Sequence, residues 1–116
     1  LLPQDVLIQI DSRALGGAVL NVLENAMHFA TPASQIRVQA ERENNQLAIT
    51  ISNQGPTIPE ALAERIFEPF FTTRSEGTGL GLAIVRRVLT EAGGDICLLP
   101  ARDDSCSFRL NLPCHD

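Results

Sequence analysis

A chain of 116 residues with 44% hydrophobic content is long enough for one real core and too short for two, so it reads as a single ordered domain. Its formal charge of −5, with no run of Lys or Arg, argues against a surface for nucleic acid or anionic lipid, because such binding is driven by clustered cations. No apolar stretch approaches the roughly 20 residues of a membrane span, the first residues given lack the basic-then-apolar order of a secretion signal, and Cys97, Cys106 and Cys114 lack the spacing of a zinc site or disulfide framework, which favours a reducing cytoplasm.

The chain opens at Leu1 without an initiator methionine, so the domain (residues 1–116) is expected to be a piece of a longer protein. Val6, Ile8 and Ile10 alternate with polar or outward positions and predict a short strand ending at Asp11-Ser12, both good N-cap residues. From Ser12 to Ala30, Leu15, Val19, Val22, Leu23, Ala26, Met27 and Ala30 recur at helical spacing, and Thr31-Pro32 ends the segment. Beside that apolar face, Asn21, Asn25 and His28 project together at spacings of four and three. Asn is a poor helix former, and a solvated face more often carries Lys, Glu or Gln. Two amide oxygens one turn apart suit a hard ion such as Mg²⁺, which keeps most of its waters and takes few protein ligands.

Ile36, Val38 and Ala40, then Leu47, Ile49 and Ile51 after Asn44-Asn45, predict an antiparallel hairpin with one buried face. It runs into Asn53-Gln54-Gly55-Pro56-Thr57-Ile58-Pro59, a loop whose glycine and prolines fix an irregular path. A short helix is predicted from Pro59-Glu60 through Phe67. Next comes Phe67-Glu68-Pro69-Phe70-Phe71-Thr72-Thr73-Arg74-Ser75-Glu76, an apolar hinge with a polar tip, in which Phe67 and Phe70 are expected to be buried.

Gly77-Thr78-Gly79-Leu80-Gly81-Leu82 follows, three glycines at spacing two opening an apolar helical segment. Glycine lets backbone approach a ligand closely, and the unpaired first amides of a helix attract phosphate. The helix is expected to reach about Ala92, with Leu80, Ala83, Ile84, Val88 and Leu89 inward, Arg86, Arg87 and Glu91 outward, and Gly93-Gly94 as its stop. Strands from Ile96 to Leu99 and from Cys106 to Leu112 close the chain as a second hairpin. Hairpins covered by helices on one face give a two-layer α+β sandwich with a mixed, mostly antiparallel sheet.

Taken in order and spacing, Asn21 to Ala26, Asn53 to Pro59, Phe67 to Phe71 and Gly77 to Leu82 resemble the boxes of the ATP-binding catalytic domain of bacterial sensor histidine kinases. The wider family takes in type II topoisomerase, mismatch-repair and heat-shock chaperone ATPases. The resemblance implies a sandwich in which ATP lies between helices and a lid. It implies that Asn25 binds Mg²⁺ and orients the phosphates. Asn21 stands where hydrolysing relatives carry a Glu that activates water, which fits transfer to a protein side chain instead. His28 falls where many kinases have Lys or Arg, so its help to the phosphates depends on protonation. Phe67, Phe70, Thr72, Thr73 and Arg74 match the lid hinge, with Arg74 among the catalytic candidates. Gly77, Thr78, Gly79, Leu80, Gly81 and Leu82 match the loop around the phosphates. The short lid between Phe71 and Gly77 looks like kinases of the nitrogen-regulation type.

Asn53, Gly55, Thr57 and Ile58 match the first glycine box and Cys106 the last hairpin, at the adenine end. Two departures fall there. The family's Asp-x-Gly-x-Gly reads Asn53, Gly55 and Thr57, and its Gly-Thr-x-Phe reads Ser105-Cys106-Ser107-Phe108. A neutral amide at 53 is expected to weaken and blunt adenine recognition. Implied partners are a dimerisation domain carrying the phosphoacceptor histidine, and a response regulator. Neither His28 nor His115 sits in a phosphoacceptor motif, so the chain is expected to be inactive without that domain. Two other readings compete with the kinase: a degenerate nucleotide-sensing module without transfer, favoured by Asn53 and Cys106, and an ATP-hydrolysing relative, disfavoured by Asn21.

Overall fold

The computed structural model describes residues 8–71, 81–102 and 104–114. The first helix, α1, spans Ser12–Phe29, and Asp11 caps it by accepting the Arg13 amide at 3.0 Å. Ala18, Val22 and Ala26 are fully buried on its inner face, with Leu15, Val19 and Leu23 beside them. Met27, expected on that face, is 57% exposed, because one step past Ala26 turns a side chain by about 100° out of the stripe. Ala30 is extended, and the Thr31 amide donates to the Gln54 carbonyl at 2.7 Å, tying the end of the helix to the sheet.

The strands are β1 (Ile36–Glu43), β2 (Gln46–Gln54), β3 (Asp95–Leu98) and β4 (Ser105–Pro113). They form one sheet in the order β1-β2-β4-β3, antiparallel at every ladder. Register aligns Ile49 with Leu110 and Ile51 with Phe108, while Ile96 and Leu98 of β3 face Leu110 and Phe108 from the other side. These residues make the inner layer against which α1 packs. On the opposite face the Ser52 and Ser107 hydroxyls share a hydrogen bond at 2.7 Å. Val38 points to the inner side but is half-exposed, since β1 is an edge strand at the border of the helical layer.

Residues 8–11 pair with no strand among the described residues, so the strand expected from Val6 to Ile10 is not seen there; residues 1–7 lie outside the description. Ile8 and Ile10 nevertheless pack on the core. Period-two alternation records which side chains face inward, and it does not by itself supply a ladder partner.

Between β2 and the next helix, two 3₁₀ turns, Glu60–Leu62 and Arg65–Phe67, replace the single short helix expected. Leu62 and Ala63 donate to Pro59 and Glu60, and Phe67 and Glu68 to Glu64 and Arg65. Pro69 holds Glu68 extended at ψ 141°, so the segment is shut in between two prolines and too short to repay helix nucleation.

The second helix, α2, spans Gly81–Glu91 and buries Val85 and Leu89, with Leu82, Val88 and Ala92 packed beside them. Ile84, expected inward, is 49% exposed. Its stop is as expected: Gly93 at φ +86° and Gly94 donate to Thr90 and Leu89 at 3.0 and 2.8 Å, the paired bonds of a Schellman motif. A Cβ on Gly94 would stand 1.9 Å from the Asn111 carbonyl oxygen, so this corner seats helix against sheet with room for glycine alone. The two-layer α+β sandwich is thus the observed fold. Among the described residues no helix is long and apolar enough to cross a membrane.

Candidate functional site

Along the inner face of β2 the residues run Leu47, Ile49, Ile51, Asn53. The first three satisfy the core and the fourth breaks the pattern. Asn53 is only 4% exposed, the one buried polar residue among those described. Its Nδ2 donates to the Gln54 carbonyl at 3.3 Å. Its cross-strand neighbours are Ile36 on β1 and Cys106 on β4. Cys106 is buried, and burial pushes its thiol above the ordinary value.

Immediately after β2, Gly55 is buried at φ +150°, and a Cβ there would meet the Phe29 carbonyl oxygen at 2.5 Å. Its amide donates to the Asp104 carbonyl at 2.8 Å. Only glycine tolerates both the backbone angle and the approach of the helix end. Ile58 packs on the core from the following loop, while Thr57 is exposed. Asn53, Gly55, Ile58 and Cys106 therefore gather where the end of α1 meets the end of β2.

On α1, two turns and one turn before its end, Asn21 and Asn25 are half-buried, and His28, next to the last residue, is exposed, its ring edge-on to Phe29 at 4.8 Å. Gly81, the first residue of α2, faces Asn21: a Cβ there would lie 4.0 Å from its Cγ. The described start of α2 is thereby beside Asn21, and the first amides of a helix lack intrahelical partners and carry the positive end of its dipole. From Asn21 to Phe29 the helix rises about 12 Å. One helix thus joins a polar end at Gly81 to a buried end at Gly55. Leu82 sits behind, against the core.

Phe67 is buried, edge to face with Phe108 at 6.1 Å between centroids. The Arg86 guanidinium lies 4.4 Å from the Phe67 ring centre and also bonds Glu64 at 3.3 Å through both terminal nitrogens. Phe70 departs from expectation. It is 74% exposed at φ +68°, the third residue of a turn closed by Phe71 donating to the Glu68 carbonyl at 3.2 Å. Proline second and a positive φ third are the marks of a type II turn, whose geometry swings the ring outward. Phe71 takes the inward place, packed on the core under the Arg65 guanidinium at 4.8 Å.

Thr72, Thr73, Arg74, Gly77, Thr78, Gly79 and Leu80 lie outside the described residues. Arg86 and Arg65, which brace the two aromatic rings, were not among the sequence candidates. Arg86 reads as one more outward cation on an amphipathic helix, and nothing in linear spacing reports that the Phe67 ring lies beneath it.

An antiparallel sheet with two helices on one face is the fold of GHKL-type ATPase domains. Residues 10–116 match the family described as histidine kinase-, DNA gyrase B- and HSP90-like ATPases, and the chain belongs to it. It is 33% identical over 118 residues to the sensor protein VanSC of Enterococcus gallinarum, covering 97% of this chain and 32% of that protein. The mycobacterial sensor histidine kinase MprB superposes with a TM-score of 0.86 at 34% identity, over 93% of this chain and 75% of that one. Histidine kinase ThkA, in a crystal structure with the response regulator protein TrrA, superposes at 0.78 with 30% identity, over 91% of this chain and 30% of that one. The chain spans about a third or less of the curated relatives it matches, which are sensor kinases.

Proposed function

We propose that the domain binds Mg-ATP along α1 and passes the γ-phosphoryl to a histidine on a dimerisation domain, as the catalytic part of a longer cytoplasmic or membrane-anchored sensor kinase that serves a response regulator. One observation carries this reading: Asn21, one turn before Asn25, stands beside Gly81, and the end of the same helix abuts Gly55, two residues past Asn53 and its cross-strand neighbour Cys106. The donor set fits the ligand. Amide oxygens suit Mg²⁺, and a buried amide among apolar neighbours suits a heterocyclic base.

Bound magnesium would supply charge neutralisation for the phosphates. Asn25 would hold its position on the half-buried stripe, and the start of α2 would direct amides at phosphate oxygens. Asn21 has no carboxylate to take a proton from water, which favours transfer to a protein nucleophile over hydrolysis. Phe67, fixed between Phe108 and Arg86, would anchor the hinge.

The test is to incubate the full-length protein, or this chain with a dimerisation domain supplied in trans, with γ-labelled ATP. Acid-labile, alkali-stable phosphohistidine is the expected product. Bound ATP without label sinks the kinase reading and leaves the sensing module; rapid release of free phosphate without label favours the hydrolase.

A further inference from the structure

A primary amide has two N–H donors and an oxygen with two lone pairs. At Asn53 the Gln54 carbonyl takes one N–H, at 3.3 Å. Holding the nitrogen there leaves the amide with a second N–H and the carbonyl oxygen to offer. Its cross-strand neighbours, Ile36 and Cys106, are an alkyl group and a buried thiol kept neutral, a weak donor and a weak acceptor. Neither sets donor against acceptor, so neither cross-strand neighbour makes the amide a one-way reader.

Building on the nucleotide reading above, we propose that the base pocket takes 6-oxo purine nucleoside triphosphates as well as ATP, with Asn53 as the selectivity residue. The carbonyl oxygen accepts from a 6-amino group, and the remaining N–H donates to a 6-oxo group after a small pivot of the amide. A carboxylate at this position, acceptor-only when ionised, would reject the 6-oxo edge by setting acceptor against acceptor.

Calorimetric titration of the chain with ATP, ITP and GTP, each with Mg²⁺, reads the proposal directly. ITP confines the difference from ATP to the 6-position and the adjoining N1, which turns from acceptor to donor, because hypoxanthine lacks the 2-amino group of guanine. The expected ratio of ITP to ATP dissociation constants is no more than about tenfold, the size of one neutral hydrogen bond. Asn53→Asp is expected to widen it at least about tenfold further, by tightening ATP and weakening ITP. A parent ratio above tenfold overturns the proposal while leaving ATP binding intact, and so does a ratio that Asn53→Asp leaves unchanged. If Asn53→Asp does not fold, the parent ratio decides alone. Failure of all three triphosphates to bind overturns the nucleotide reading itself, and the inference with it.

Discussion

Where α1 ends, Gly55 is pressed against the Phe29 carbonyl and Asn53 is sealed between Ile36 and Cys106; along the same helix Asn21 and Asn25 stand half-buried and His28 exposed, with Asn21, two turns before the end, beside Gly81. The first end is made of residues that the fold also needs. The second is made of residues that the core can lose. Substitutions at the buried end should therefore move stability and binding together, whereas those on the amide stripe should move binding alone. The same contrast recurs three residues apart in the hinge, with Phe67 locked on Phe108 and Phe70 turned to solvent.

The largest effect is expected at the hinge. Phe67→Ala should lower unfolding free energy by about 3–5 kcal/mol in urea titration, the usual range for a buried ring. Phe70→Ala should stay within about 0.5 kcal/mol, and equal losses at both positions would erase the contrast. Gly55→Ala follows. Its backbone angle and the oxygen 2.5 Å from the added methyl should together cost about 3 kcal/mol, with nucleotide affinity falling in step.

Asn25→Ala is the matching probe of the exposed end. Its denaturation midpoint should stay within about 0.5 kcal/mol of the parent, while Mg-dependent ATP affinity falls at least about tenfold by calorimetry, about 1.4 kcal/mol. Unchanged Mg-ATP affinity would remove the stripe from the metal site. Phe70→Gly should instead raise stability by about 1 kcal/mol, since glycine is the residue that the third position of a type II turn favours. A loss of stability there would mean that the exposed ring has a contact the turn geometry conceals.

The α1 boundaries, both hairpins and the Gly93-Gly94 stop were legible because each rests on local chemistry: an Asp cap, period-two alternation, and glycine where φ is positive. The phase of α2 was not. Leu82, Ala83, Ile84, Val85, Val88 and Leu89 leave a broad apolar sector, and only packing on α1 and the sheet selects Val85 over Ile84. Phe67, Phe70 and Phe71 are chemically alike, so their different fates depend on the turn that Pro69 initiates. For the site, the amide stripe was readable as residues out of place on a helix, whereas Asn53, expected to open a loop and singled out only by the resemblance, lies inside β2 on its inner face. The bracing of Phe67 by Arg86 was not readable, because it joins a 3₁₀ turn to a helix across the fold.

The sheet order carries a kinetic consequence. The hairpin of β1 and β2 closes over two residues, but the central ladder joins β2 to β4, and the Ser52 and Ser107 hydroxyls that meet across it are 55 positions apart in the chain. Closing so long a loop forfeits chain entropy before the ladder returns any contact, which puts this pairing late in folding. Pulse-labelling exchange should find β1–β2 amides protected before those linking β2 to β4. The juxtaposition of Asn53 with Cys106 belongs to that late ladder. A newly made chain would thus hold α1 and its amide stripe before Asn53 and Cys106 meet, and on the proposed reading nucleotide present during refolding should bind the finished sheet without hastening its assembly.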